Sequence, residues 1–233
     1  MALLDSSKNR EERLNKIIEP GETIARPIYN MIMGGVVVYG LIVNLILCSI
    51  PAISNLAYGS NSIIFLIVYF ALCLGGSAIA RRSNSAILSF VGYNMVCCPM
   101  GVVVAALVEA YGGIGGELVT QAFFITSLVV GVMVVASCLF PTLFEKLGGL
   151  LLTVLVSIIV AEIVLIFCGV EQVITSWIAA ILFSSYIGFD FYRSQQFEPT
   201  VDNAVDCALD IYMDIVNLFV RILRLLGAGK SKK

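Results

Sequence analysis

The chain has 233 residues, 59% of them hydrophobic and only 13% charged, with a mean hydropathy of +0.98. A soluble domain carries about a quarter charged residues, so lipid is the solvent for most of this sequence. The net charge of −2, with no basic cluster interleaved with aromatics, excludes a nucleic-acid partner.

The opening segment, "MALLDSSKNREERLNKIIEP", is too charged for a secretory signal peptide and reads as an amphipathic lead-in. Apolar runs follow at about 28–50, 62–80, 85–110, 118–140, 147–168 and 172–192, with a more polar seventh at 203–226. Each run can cross a hydrocarbon layer that about 20 helical residues span. The breaks between them carry turn chemistry: "SIPAISNLAYGSNS", "RRSNS", "YGGIGGE", "FPTLFEKLGG", "CGVEQ" and "SQQFEPTVDN". The pattern predicts an all-α membrane protein, a seven-transmembrane helix bundle. Its divisions are a cytoplasmic N-terminal segment (1–27), the helical domain (28–227) and a short basic tail (228–233).

Lys and Arg set the orientation. Lys8, Arg10, Arg13, Lys16 and Arg26 precede the first run, and Arg81, Arg82, Lys146 and Arg193 follow the second, fourth and sixth. All of these place the N-terminus in the cytoplasm. Arg221, Arg224, Lys230, Lys232 and Lys233 pull the other way, since seven crossings leave them outside. A last helix that dips in and returns is the alternative, and seven crossings is the reading adopted.

Seven cysteines, at 48, 73, 97, 98, 138, 168 and 207, form no CxxC pair, and the chain has no histidine. That composition argues against a zinc site and suits small buried thiols. No cofactor is expected.

The last run, "VDNAVDCALDIYMDIVNLFVRILRLLG", places aspartates at 202, 206, 210 and 214, one helical turn apart. With Asn203, Asn217, Arg221 and Arg224 they form a polar stripe, which must face the bundle interior, a water-filled cavity or partners on other helices. Asp202 and Asp206 read as a solvated acidic mouth that also starts the helix, with Asp210 intermediate. Asp214 lies deep in the span. Two further acids, Asp190 in the sixth run and Glu162 in the fifth, lie at membrane depth. Such groups need protonation, an arginine or an ion. Asp190 and Asp214 flank the turn near Glu198 and Pro199, so antiparallel helices can bring them together to share one proton, a proton-sensitive latch. Alternatively Asp190 merely pairs with Arg193, or with an arginine after the second run.

The elements "GFDFYRSQQ" and "ALDIYMDIVNLFVRILRLLG" resemble the Bax inhibitor family of transmembrane proteins. "ARRSNS", "PMGVVVAALVEAY" and "QAFFITSLVVGVM" agree, and the similarity covers about residues 25–227. Phe189 stands where the family more often has tyrosine, and Glu162 is outside its pattern. The resemblance implies a seven-helix bundle with a pH-sensitive calcium leak, Asp190 and Asp214 as the sensing pair, and Arg81 or Arg82 as latch partner. Calcium, a hard cation suited to oxygen ligands, is then the permeant or bound ion, with Asp190 and Asp214 as its candidate ligands and Asp202, Asp206 and Asp210 as an acidic approach.

The other partners are protons, the bilayer and a membrane-protein partner. An enzyme is not expected. Aspartyl intramembrane proteases pair aspartates on their sixth and seventh spans, but Ile211, Tyr212 and Met213 replace the glycines of their G-x-G-D element. A rhomboid-like protease lacks its histidine base. Two other readings remain: a non-conducting regulator that restrains partner membrane proteins or proteases, and a secondary transporter using Glu162. The location is a bacterial plasma membrane, or an endoplasmic-reticulum-like membrane in a eukaryote.

Overall fold

The computed structural model describes residues 23–59, 62–168 and 173–230. Among them are eight helices: α1 (Arg26–Cys48), α2 (Pro51–Gly59), α3 (Ser62–Arg82), α4 (Ala86–Ala110), α5 (Glu117–Leu139), α6 (Pro141–Phe167), α7 (Val173–Ser194) and α8 (Val201–Lys230). Seven of them coincide with the seven apolar runs. Lys8, Arg10, Arg13, Lys16, Lys232, Lys233 and most of the "CGVEQ" break lie outside the described residues.

Two expected breaks are corrected. "SIPAISNLAYGSNS" contains the short helix α2, which packs mainly on α4. "FPTLFEKLGG" is mostly the beginning of α6, and only Phe140 separates α5 from α6. Pro141 opens α6, where its missing N–H is one that the first turn leaves unpaired in any case. The break after α4 is a tight turn. Gly112 and Gly113 take φ of +101° and +77°, and Gly113 N–H donates to Val108 O at 2.9 Å.

Six helices, α1 and α3 to α7, are long and apolar enough to cross a membrane. Their outward faces expose large apolar side chains such as Ile67, Leu74, Phe124, Leu128, Ile174 and Ile181. The chain is an integral membrane protein. The helix missing from that set, α8, is the most enclosed of all. It packs against α1, α4, α5 and α7, and buries Asp202 through Tyr212 without a gap. A helix walled off by other helices need not be apolar, which is why the most polar run of the chain sits at the centre.

Close approaches between helices rest on small residues. A Cβ at Gly188 of α7 would collide with the Phe144 ring of α6, and one at Gly148 of α6 would fall 2.8 Å from the Phe189 ring of α7. The start of α1 is tied to the α7–α8 connection by an isolated Thr23–Thr200 bridge. Ile24 N–H donates to Pro199 O at 2.8 Å, and Arg26 Nη1 to Phe197 O at 2.8 Å.

Candidate functional site

The polar stripe of α8 meets its partners where α7 ends. Thr200 caps α8, its Oγ1 accepting from Asn203 N–H at 3.1 Å. The cap falls at the threonine two residues before the first aspartate, and Asp202 takes other partners. Its Oδ1 accepts from the Ser89 hydroxyl of α4 at 2.7 Å. Asp202, Asp206 and Asp210 are all buried, at 3–6% exposure. The solvated mouth expected of this ladder is therefore corrected: α4, α7 and the α7–α8 connection cover it.

Asp210, read from sequence as intermediate, is the centre of the cluster. It accepts from Arg81 Nη2 of α3 at 2.9 Å and from Arg193 Nη2 of α7 at 2.6 Å. Arg193 Nη2 also lies 3.1 Å from Asp190 Oδ1, one turn back on its own helix, and its guanidinium sits over the Phe189 ring. The carboxyls of Asp190 and Asp214 lie close enough to interact. Asp214 is buried, and its Oδ2 has no hydrogen-bond partner among the described residues. Of the two candidate arginines, Arg81 is the one that pairs with the cluster, through Asp210. The contacts of Arg193 combine the two readings of Asp190, which touches both Asp214 and Arg193.

Chemically this is a set of three carboxyls, Asp190, Asp210 and Asp214, facing two guanidiniums, Arg81 and Arg193. The set holds one carboxyl more than it has guanidiniums, an imbalance that burial disfavours. Tyr186 of α7 and Cys207 of α8 face the same group. Among the described residues, no group of three or more His, Cys, Asp or Glu side chains is arranged to hold a metal ion.

Glu162 lies apart from this cluster. It forms a two-pronged ion pair with Arg221 of α8, through Arg221 Nη1 to Oε1 and Nη2 to Oε2, the latter at 2.8 Å. Both side chains are about 15% exposed. Sequence reasoning placed Arg221 on the stripe and Glu162 at depth but did not join them. The sequence signal was partial, since Arg224, one turn further along the same stripe, was an equal candidate for Glu162.

The family whose description is "Inhibitor of apoptosis-promoting Bax1" matches residues 22–231. The chain belongs to this family. The Bax inhibitor match takes in every helix described above. An "Uncharacterized protein" of Helicobacter pylori strain J99 is 31% identical over 123 residues, covering 52% of each chain. This family member thus spans about half the length of the first curated relatives it matches. An "Uncharacterized membrane protein" of Vibrio cholerae is 26% identical over 195 residues, 80% of this chain and 85% of that one. Another of that description from Streptococcus pyogenes serotype M1 is 25% identical over 189 residues, 78% and 79% of the two chains.

Proposed function

We propose that the protein is a pH-sensitive calcium-leak channel or transporter of a bacterial plasma membrane, gated by the Asp190–Asp214 carboxyl pair. The observation that carries this reading is the cluster itself: Asp190 and Asp214 are both buried beside Arg193, and an oxygen of each has no hydrogen-bond partner among the described residues. Buried groups of this kind are costly and are kept in membrane helices mainly to move or sense ions.

In this reading the cluster is the closed gate. Arg81 and Arg193 hold Asp210, and the proton shared by Asp190 and Asp214 cancels the remaining charge. Removing that proton leaves two like charges in contact between α7 and α8. Adding protons instead releases Arg81 from α8. Either change loosens the junction of α3, α7 and α8, and calcium is the cargo that freed carboxylate oxygens would attract. Arg81 is the latch partner, and Asp202 and Asp206 are structural neighbours of the gate. The bacterial relatives called membrane proteins support the location.

The seventh crossing and the cytoplasmic N-terminus belong to the same proposal. α8 has 30 residues, about 45 Å at 1.5 Å per residue, which is more than a bilayer core requires. Arg81, Arg82, Lys146 and Arg193 would then face the cytoplasm.

The test is calcium flux into liposomes holding only the purified protein, measured across pH for wild type, Asp190→Asn and Asp214→Asn. The expected result is pH-dependent flux in the wild type and a flattened profile in both variants. Unchanged rates and pH dependence in both would sink the gate. No flux from well-folded wild type favours the non-conducting regulator.

A further inference from the structure

The bundle has a second feature, beside the deeper half of α8, that the gate does not use. Between α1, α4, α5 and α8 lies a cavity of about 660 Å³. Its walls are mostly apolar, with Leu45 from α1, Val108 from α4, Phe123 from α5 and Phe219 from α8. Leu45 and Phe123 are among the exposed apolar side chains, so the cavity opens onto the surface that meets lipid.

One polar side chain on this wall is only half satisfied. Asn44 is 6% exposed. Its Oδ1 accepts from the Tyr212 hydroxyl at 3.0 Å and lies 4.0 Å from Cys97 Sγ. Its Nδ2 makes no hydrogen bond among the described residues, yet Asn44 lines the cavity. From the α4 side Gly101 leaves room for it, since a Cβ there would fall 2.7 Å from Asn44 Oδ1. An amide donor that opens onto an apolar cavity with nothing to donate to is unfavourable, and its natural complement is a carbonyl oxygen on an apolar ligand.

The depth identifies that ligand. Asn44 lies eighteen residues along α1 from Arg26, which is anchored on Phe197 O of the α7–α8 connection. That separation is about 27 Å at 1.5 Å per residue, close to the thickness of a bilayer's hydrocarbon core. Asn44 therefore sits where the hydrocarbon of the far leaflet ends and acyl ester carbonyls begin. The rest of the cavity runs back toward the membrane centre as far as Val38.

We infer that this cavity binds an acyl chain of a far-leaflet phospholipid, whose ester carbonyl accepts a hydrogen bond from Asn44 Nδ2. The chain lies against Ile215, Val216 and Phe219, so the lipid rests directly on α8 one residue beyond Asp214.

The experiment counts phospholipid retained by the purified, detergent-solubilised protein in native mass spectrometry. Equal amounts of ester-linked dioleoyl phosphatidylglycerol and its diether analogue are offered as probes. Wild type is expected to keep one phospholipid per chain and to favour the ester roughly 2- to 10-fold, the weight of one net hydrogen bond. Asn44→Leu should erase that preference. Ser127→Trp, which fills the cavity from its exposed rim without touching Tyr212, should reduce retention of both lipids. Equal retention of ester and ether by the wild type overturns the inference, as does full retention by Ser127→Trp. A lipid-free wild-type dimer assigns the cavity to a second copy of the chain and also overturns it.

Discussion

Replacing Asp210 with asparagine removes the charge on which two arginines converge. Asp210 has 7% of its side chain exposed, Arg193 23% and Arg81 39%. The two ion pairs should therefore contribute unequally, because a partner more than a third exposed is screened by solvent. Breaking a buried pair costs about 3–5 kcal/mol when one charge stays behind. Arg193 keeps Asp190 as a second partner, so the lower end of that range applies, about 3 kcal/mol. Arg81→Gln should cost only about 1 kcal/mol, and Arg193→Gln nearly as much as Asp210→Asn. In a chain of this length 1 kcal/mol moves Tm by about 2–4 °C, so Asp210→Asn should lower it by about 6–12 °C. Thiol reactivity in detergent during heating is a suitable readout, since Cys97 and Cys207 are buried and become reactive on unfolding. A double-mutant cycle should give strong coupling for Asp210–Arg193 and weak coupling for Asp210–Arg81. If Asp210→Asn melts with the wild type, or the two couplings are equal, Asp210 is not the centre of the cluster.

The Glu162–Arg221 pair makes a second prediction: Glu162→Gln and Arg221→Gln each lower Tm, while the double Glu162→Leu/Arg221→Leu variant recovers most of the loss. A double variant no better than the singles in the same thiol assay would refute the pairing. Gly188→Ala should cost about 1–3 kcal/mol by forcing Phe144 aside, and Gly149→Ala, with open space at its Cβ position, almost nothing. Equal melting of these two variants would refute the close α6–α7 contact. Ser89→Ala removes the hydroxyl that donates to Asp202 Oδ1 and should destabilise by about 1–3 kcal/mol. A melting curve matching the wild type would mean that another donor serves Asp202.

Much of the fold was legible in the sequence because lipid imposes a simple rule. A helix must be apolar for about 20 residues to cross, and charges collect at its ends, so the runs and their breaks can be counted. That rule located seven helices and also marked α8 as the one that cannot face lipid. It misjudged "FPTLFEKLGG", whose charges stay on a helix that extends past the apolar run, and it passed over α2, which is too short to register as a span.

The site was legible in part for the same reason. Acids at membrane depth stand out, so Asp190, Asp214 and Glu162 were visible as residues in need of partners. Who their partners are depends on which helices lie side by side. Residues 129 positions apart, Arg81 and Asp210, meet only because α3 ends beside α8. Asp202 and Asp206 looked solvated because a one-dimensional reading puts the first turns of a helix near water. The packing of α4, α7 and the α7–α8 connection decides otherwise. Asn44 gave no sequence signal at all, since a lone amide in an apolar run reads as a tolerated exception. By itself the sequence determined a helical membrane protein with costly charges along its last helix. Only the tertiary structure decided how those charges neutralise one another, because burial and ion pairing are set by neighbours in space, not by neighbours along the chain.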